Sequence, residues 1–297
     1  MAKVFIFCVG GTGIRVMKSV IMLAASGMKT NGYDIVPIII DPHVDLEENT
    51  ILTTMVGDYI KIYKNATSGA AQQIDAPNGF FNTKILRLED LDNQQNPMGA
   101  NMAEKKSFGQ YLNIGSLAND DVNNYLIQTL YSKENLCNSL SVGFKGNPNV
   151  GTVVLNEMIS GADWYDSFQR HCEKGDRVFI ISSIFGGTGA SGYPLLEKKI
   201  KEDEAHPQIS NAVLGAVTVL PYYSLDDPQH LAVTLIRQIF IRKQKQRLVI
   251  MRRVSSLIIC IMPGSRVCGR TIKTMKKNRR IRHISLNLWQ HRLCLIS

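Results

Sequence analysis

The sequence predicts an α/β domain: a mostly parallel sheet with helices on both faces, in three layers. Three observations predict it. Apolar runs rich in β-branched residues recur at Lys3–Val9 (KVFIFCV), Ile35–Ile40, Arg177–Phe185 (RVFIISSIF) and Ala212–Leu220 (AVLGAVTVL). They are continuous rather than alternating, as strands buried on both faces read. Two of these runs end on the same tetrapeptide, Gly-Gly-Thr-Gly, at residues 10–13 and 186–189, and helical spacing follows each. Strand, glycine turn and helix together open a parallel α/β unit.

Taken in order, Lys3–Val9 is the first strand. Val16, Val20, Ile21 and Leu23 then recur with helical spacing, and Gly27 is a candidate C-cap. Ile35–Ile40 is a second buried strand, ending on Asp41-Pro42. Asn65–Gly79 and Asp92–Gly99 read as surface loops, rich in small and polar residues. Asp121–Leu130 predicts a helix with Val122, Leu126 and Leu130 four apart, and Gly143–Gly151 is dense in turn formers. Trp164, Tyr165 and Phe168 predict a helix before Gly175. After the second glycine loop, Leu195, Leu196 and Ile200 mark a helix, Pro221 closes the next strand, and Leu231–Phe240 predicts the start of another helix.

Charge divides the chain differently. Residues 241–297 carry 15 Lys and Arg and no Asp or Glu, which leaves 19 basic and 25 acidic residues in the first 240. The overall net charge of +9 therefore describes a mildly acidic domain, 1–240, with a basic tail, 241–297. No run of apolar residues is long enough for a membrane span, and the N-terminus lacks the pattern of a signal peptide. The six cysteines show no metal-ligand spacing, and no metal site is expected from them. A cytoplasmic location fits these features.

The glycine loops carry the candidate chemistry. A phosphate needs several backbone N–H groups aimed at one point, and glycine lets it approach with no Cβ in the way. Gly10, Gly11, Thr12 and Gly13, and again Gly186, Gly187, Thr188 and Gly189, supply such a loop between strand and helix, with a threonine hydroxyl as a further donor. Neither is a Walker A loop, because no Gly-Lys-Ser/Thr follows. Asp41 is a candidate for the same site, or simply a turn-initiating residue before Pro42.

Phe185–Pro194 (FGGTGASGYP) resembles the tubulin-family signature GGGTGSG, with a proline in register with the FtsZ form. Phe185 replaces the first glycine, and Ala190-Ser191 stands where a small residue and glycine are usual. Val217–Tyr222 (VTVLPY) is similar to the segment that follows in FtsZ, and CVGGTG to the first nucleotide loop. Ile38–Asp45 (IIIDPHVD) and Gly99-Ala100-Asn101 match further segments. The chain is thus similar, over residues 1 to about 240, to a divergent bacterial tubulin/FtsZ-like group. The resemblance implies binding of GTP or GDP with Mg2+ and self-association into filaments. Gly10–Gly13 would hold the diphosphate side, Gly186–Gly189 the terminal phosphates, and Asp41 would lie near the phosphate–metal region. It also implies hydrolysis through an acidic loop of a neighbouring subunit, which the carboxylate-free stretch after residue 240 does not supply, so no catalytic residue is assigned.

Two other classes compete. In a NAD(P)-dependent Rossmann-type enzyme, Gly10–Gly13 would bind pyrophosphate and Asp41 a ribose hydroxyl, but the second loop has no role there and the final small residue of G-x-G-x-x-G is missing. A nucleic-acid adaptor would act through the basic tail. Apolar and basic residues are mixed in the tail without pattern, which points instead to out-of-frame translation after about residue 240. Reading the coding DNA in its other frames beyond that codon is expected to reveal an acid-containing helix and an activation domain. A coding sequence with no such frame would remove this explanation of the tail.

Overall fold

The computed structural model describes residues 2–43, 47–67, 79–92, 106–118, 121–144, 146–184, 186–219, 257–261 and 272–273. Strand β1 (Lys3–Val9) runs directly into α1 (Gly10–Ala25), and β2 (Asp34–Ile40) precedes α2 (Glu47–Thr67). Short helices α3 (Leu88–Asp92) and α4 (Phe108–Tyr111) lead to α5 (Val122–Leu130) and α6 (Lys133–Cys137). Then come α7 (Pro148–Ile159), α8 (Asp163–His171), β3 (Arg177–Ser183), α9 (Gly187–Lys201), α10 (Pro207–Ser210) and β4 (Val213–Val219). Strands β5 (Leu257–Ile261) and β6 (Ile272–Lys273) complete the described elements.

The sheet order is β2-β1-β3-β4-β5-β6. All neighbours pair in parallel except β5 and β6. The chain is thus α/β with a parallel sheet, as the apolar runs predict. Strands β5 and β6 lie within the segment 241–297 that composition sets apart as a basic tail.

Alternation along β1 divides the core in two. Phe5, Phe7 and Val9 face one cluster, with Val154, Leu155, Trp164, Phe168, Tyr193 and Leu196 from α7, α8 and α9. Ile6 and Cys8 face the other, with Ile14, Met17 and Ile21 of α1 and Leu52 and Val56 of α2. Helices therefore cover both faces of β1. The first cluster is organised by aromatic edges: the Phe168 ring meets those of Phe5 and Phe7 at 5.1 Å, each near perpendicular.

Pro37 stands in the middle of β2, where a central strand would lose a ladder hydrogen bond. The topology removes the conflict, because β2 is outermost on its side among the described strands. Ile35 turns its backbone outward, donating to the Lys84 carbonyl and accepting from Leu86 N–H. By the two-residue period, Pro37 presents its ring nitrogen to that same outer side.

Several expectations change. Helix α2 has no counterpart in the sequence reading, and Asn65 and Thr67, assigned there to a surface loop, form its last turn. Asp92, assigned to the next loop, closes α3 and ties it to α8: its carboxylate accepts from Arg170 Nη2 at 2.7 Å and pairs with His171 Nε2 at 2.6 Å. In α1 the buried apolar side chains are Ile14, Met17, Ile21 and Ala24, while Leu23 is exposed. Asp45, Gly99–Asn101, Phe185, Pro221, Tyr222 and the predicted helix Leu231–Phe240 lie outside the described residues.

Phe168 of α8 is fully buried against Phe5 and Phe7 of β1. Phe168→Ala is expected to destabilise the domain by about 3–5 kcal/mol, the range for deleting a buried aromatic ring. Urea unfolding followed by tryptophan fluorescence measures this.

Candidate functional site

Register fixes the site. Val9 pairs with Ile40, and Cys8 pairs with both Ile39 and Ile181. The carboxyl ends of β2, β1 and β3 are thus level, with Asp41 following the first, Gly10 the second and the 186–189 loop the third. Helix α1 returns the chain to β2 on one side of β1, whereas β3 lies on the other side. The strand order reverses between β1 and β3, which is where open parallel sheets form a ligand crevice.

Both Gly-Gly-Thr-Gly loops meet there. A Cβ built on Gly10 would stand 3.4 Å from Thr188 Cβ and 3.6 Å from Gly189 N. Gly10 also has φ of 70°, a conformation that favours glycine. The eight loop residues fall into two sets. Gly10, Gly13, Gly187 and Gly189 are buried, whereas Gly11, Thr12, Gly186 and Thr188 are half-buried. The buried ones serve close packing. A Cβ at Gly13 would lie 2.7 Å from the Cys8 carbonyl carbon and 2.8 Å from Ile181 O, and one at Gly189 would meet the Ser183 backbone.

Gly187 differs from the expectation that its missing side chain leaves room for a phosphate. A Cβ there would stand 2.7 Å from Phe144 Cβ, so the residue is glycine because Phe144 packs on it. At Gly186 nothing among the described residues lies within 4 Å of the Cβ position, and its φ of −83° suits any residue. Gly186, not Gly187, is where a side chain would enter open space.

Gly143, Phe144, Gly146 and Asn147 form a third wall, within a stretch that the sequence marks only as turn-forming. Gly143 lies near the Thr188 hydroxyl, 3.9 Å from the Cβ position to Oγ1. The backbone nitrogens of Gly146 and Asn147 lie 3.3 Å from the Cβ position of Gly187. Asn147 precedes Pro148 at the first turn of α7. That pair is a helix-start signal, and it was the available clue.

Three helix N-termini therefore converge: α1, α7 and α9. Val9, Asn147 and Gly186 at their N-caps make no side-chain capping bond, and none of the three has an acidic residue in its first turn. The other helices longer than five residues are supplied with carboxylates: α2 by Glu47 and Glu48, α5 by Asp121, α8 by Asp163 and Asp166. Partial positive charge gathers at the β1/β3 crevice with no first-turn carboxylate to offset it, which suits an anion.

Asp41 borders this crevice from β2. It is 9% exposed, and its Oδ1 accepts from His43 N–H at 2.9 Å, so it does shape the turn at Pro42. Burial raises its pKa above the ordinary carboxylate range, partly offset by that hydrogen bond. Nearby, Arg15 on α1 donates to Glu48 on α2 at 2.8 Å and holds the Glu48 carboxyl below its usual range. Among the described residues no cluster of three or more His, Cys, Asp or Glu is arranged to hold a metal ion by itself, and no helix is long and apolar enough to cross a membrane.

No family model matches the chain, and no curated protein matches it.

A carboxyl whose folded pKa is raised favours the folded state while protonated. That contribution is present at low pH and is lost as pH rises through the folded pKa. Asp41→Asn keeps an oxygen for His43 N–H and removes the buried charge. It is expected to raise the melting temperature at pH 7 relative to the parent chain, with the gap closing toward about pH 4, near the ordinary carboxylate pKa. Thermal melts across that range measure it.

Proposed function

We propose that the domain binds a guanine nucleotide at the β1/β3 crevice and that binding governs self-assembly. The observation that carries the phosphate part is the meeting of two Gly-Gly-Thr-Gly loops with three helix N-termini that have neither caps nor acids. The half-buried residues Gly11, Thr12, Gly186 and Thr188 would face the phosphates, and the buried glycines would hold both loops against the sheet. The guanine base, the assembly into filaments and the tubulin/FtsZ-like character of the fold rest on the resemblance of FGGTGASGYP and CVGGTG to that family.

Mg2+ fits as a companion of the phosphates rather than as a resident ion. It keeps waters and phosphate oxygens and needs only one or two carboxylates. Asp41 is the acid in register with Gly10 and would be that partner; Glu48 is already engaged by Arg15. The metal would neutralise phosphate charge. A dinucleotide-dependent enzyme is the weaker reading, because one loop suffices for a pyrophosphate and here the second packs against the first.

Labelled GTP should bind the full chain more tightly than ATP or NAD in competition. A preference for NAD would overturn the guanine-nucleotide reading. Gly186→Val should weaken GTP binding at least tenfold with an unchanged melting temperature, because its side chain enters open space. Gly187→Val should instead lower the melting temperature through its clash with Phe144. Full GTP affinity in a folded Gly186→Val protein would show that this loop is only a turn.

A further inference from the structure

We infer, resting on the nucleotide reading of the β1/β3 crevice, that Asn49 is a positioning residue that sets the Asp41 carboxylate for Mg2+. Two hydrogen bonds meet at His43. Its N–H donates to Asp41 Oδ1 at 2.9 Å, and its carbonyl accepts from Asn49 Nδ2 at 3.0 Å. Asp41 is thus held by a backbone that Asn49 holds in turn. Asp41 follows β2 and Asn49 lies in the first turn of α2, so the relay joins a strand end to the next helix.

The Asn49 side chain turns away from its own helix to make this bond. Its orientation follows from chemistry, because only the nitrogen end of an amide donates to a carbonyl. Oδ1 is left buried, with no hydrogen-bond partner among the described residues. An acceptor buried without a donor costs more than one neutral hydrogen bond contributes. The amide is therefore not placed for the net stability of the fold. Departures of that kind gather where a site sets the residue.

The first turn of α2 is anchored on a second side. Glu48, beside Asn49, accepts from Arg15 Nη2 of α1 at 2.8 Å. Helix α1 starts at Gly10, and Val9 before it is in register with Ile40 before Asp41. Through Glu48 and Asn49 the acid is fixed relative to the first glycine loop. Mg2+ demands near-ideal octahedral geometry and short bonds to oxygen, so a carboxylate free to swing would serve it poorly. With Oδ1 committed to His43, Oδ2 is the oxygen left for the ion or one of its waters. Groups that orient a metal ligand matter to metal affinity through that ligand.

GTP titrations of the full chain in Mg2+ and in EDTA test this. The parent chain should gain roughly tenfold or more in GTP affinity from Mg2+, and Asn49→Ala should lose most of that gain while losing much less in EDTA. Asn49→Leu, similar in shape and without a donor, should behave alike. Circular dichroism and thermal melts confirm that each variant is folded. Added to Asp41→Asn, Asn49→Ala should cost no further Mg2+-dependent affinity, because the carboxylate it positions is already gone. Equal losses in Mg2+ and EDTA would show that Asn49 only holds a turn, and would overturn the assignment. So would a further Mg2+-dependent loss on the Asp41→Asn background. Parent-like Mg2+ dependence in both Asn49 variants would remove the role of Asn49 alone, whereas a parent chain that binds no GTP would remove the nucleotide reading beneath it.

Discussion

Two helices must begin almost on the backbone of the strands that precede them, and the candidate site depends on that constraint. Gly13 sets α1 against Cys8 and Ile181, and Gly189 sets α9 against Ser183. Any side chain at either position would push its helix away from the sheet. Because β1 and β3 are neighbours and their helices leave toward opposite faces, the two close approaches aim both N-termini at one crevice. The convergence of backbone donors there is a product of packing before it is a product of ligand recognition.

The strands were legible because burial on both faces leaves a continuous apolar run, and β1, β2, β3 and β4 fall where those runs lie. The loops were legible because Gly-Gly-Thr-Gly is rare punctuation and occurs at two strand ends. Less could be read where tertiary packing decides. Helix α2 opens with EENT and mixes Thr, Gly and Tyr among its apolar positions, so its periodicity is faint, yet Leu52, Val56 and Tyr59 are buried. The reason for each glycine was also hidden. Gly187 reads as a phosphate position, and only the Phe144 side chain beside it shows the packing role. For α5, spacing predicted the helix but not that Val122, Leu126 and Leu130 are exposed, because periodicity reports one face without saying which way it points.

The two ends of the sheet are treated differently. At the amino ends, charged groups are engaged: Lys3 donates from its backbone to Asp176 at 2.7 Å, and its ammonium lies 3.5 Å from the same carboxylate. Arg177 lies over the Tyr33 ring at 4.7 Å. At the carboxyl ends the polar groups are mostly neutral. Ser182 and Thr218 share a buried hydroxyl–hydroxyl bond of 2.8 Å between β3 and β4. Next to β3 and β4 such neutral groups leave the partial positive charge of the helix ends in place, and Asp41 after β2 is the carboxylate at the border of the crevice.

Pro37 bears on how this sheet can meet other chains. A strand that is outermost normally offers a ladder of donors and acceptors to any passing extended segment, the route to strand addition and to amyloid-like stacking. Along β2 that ladder is spoiled at successive outward positions. Ile35 is already engaged by Lys84 and Leu86, and Pro37 has no hydrogen to give. An intruding strand would find one rung taken and the next missing. Whatever contacts the molecule makes with its neighbours are thereby turned away from this margin and toward side-chain surfaces, where shape and chemistry discriminate among partners as a bare backbone does not.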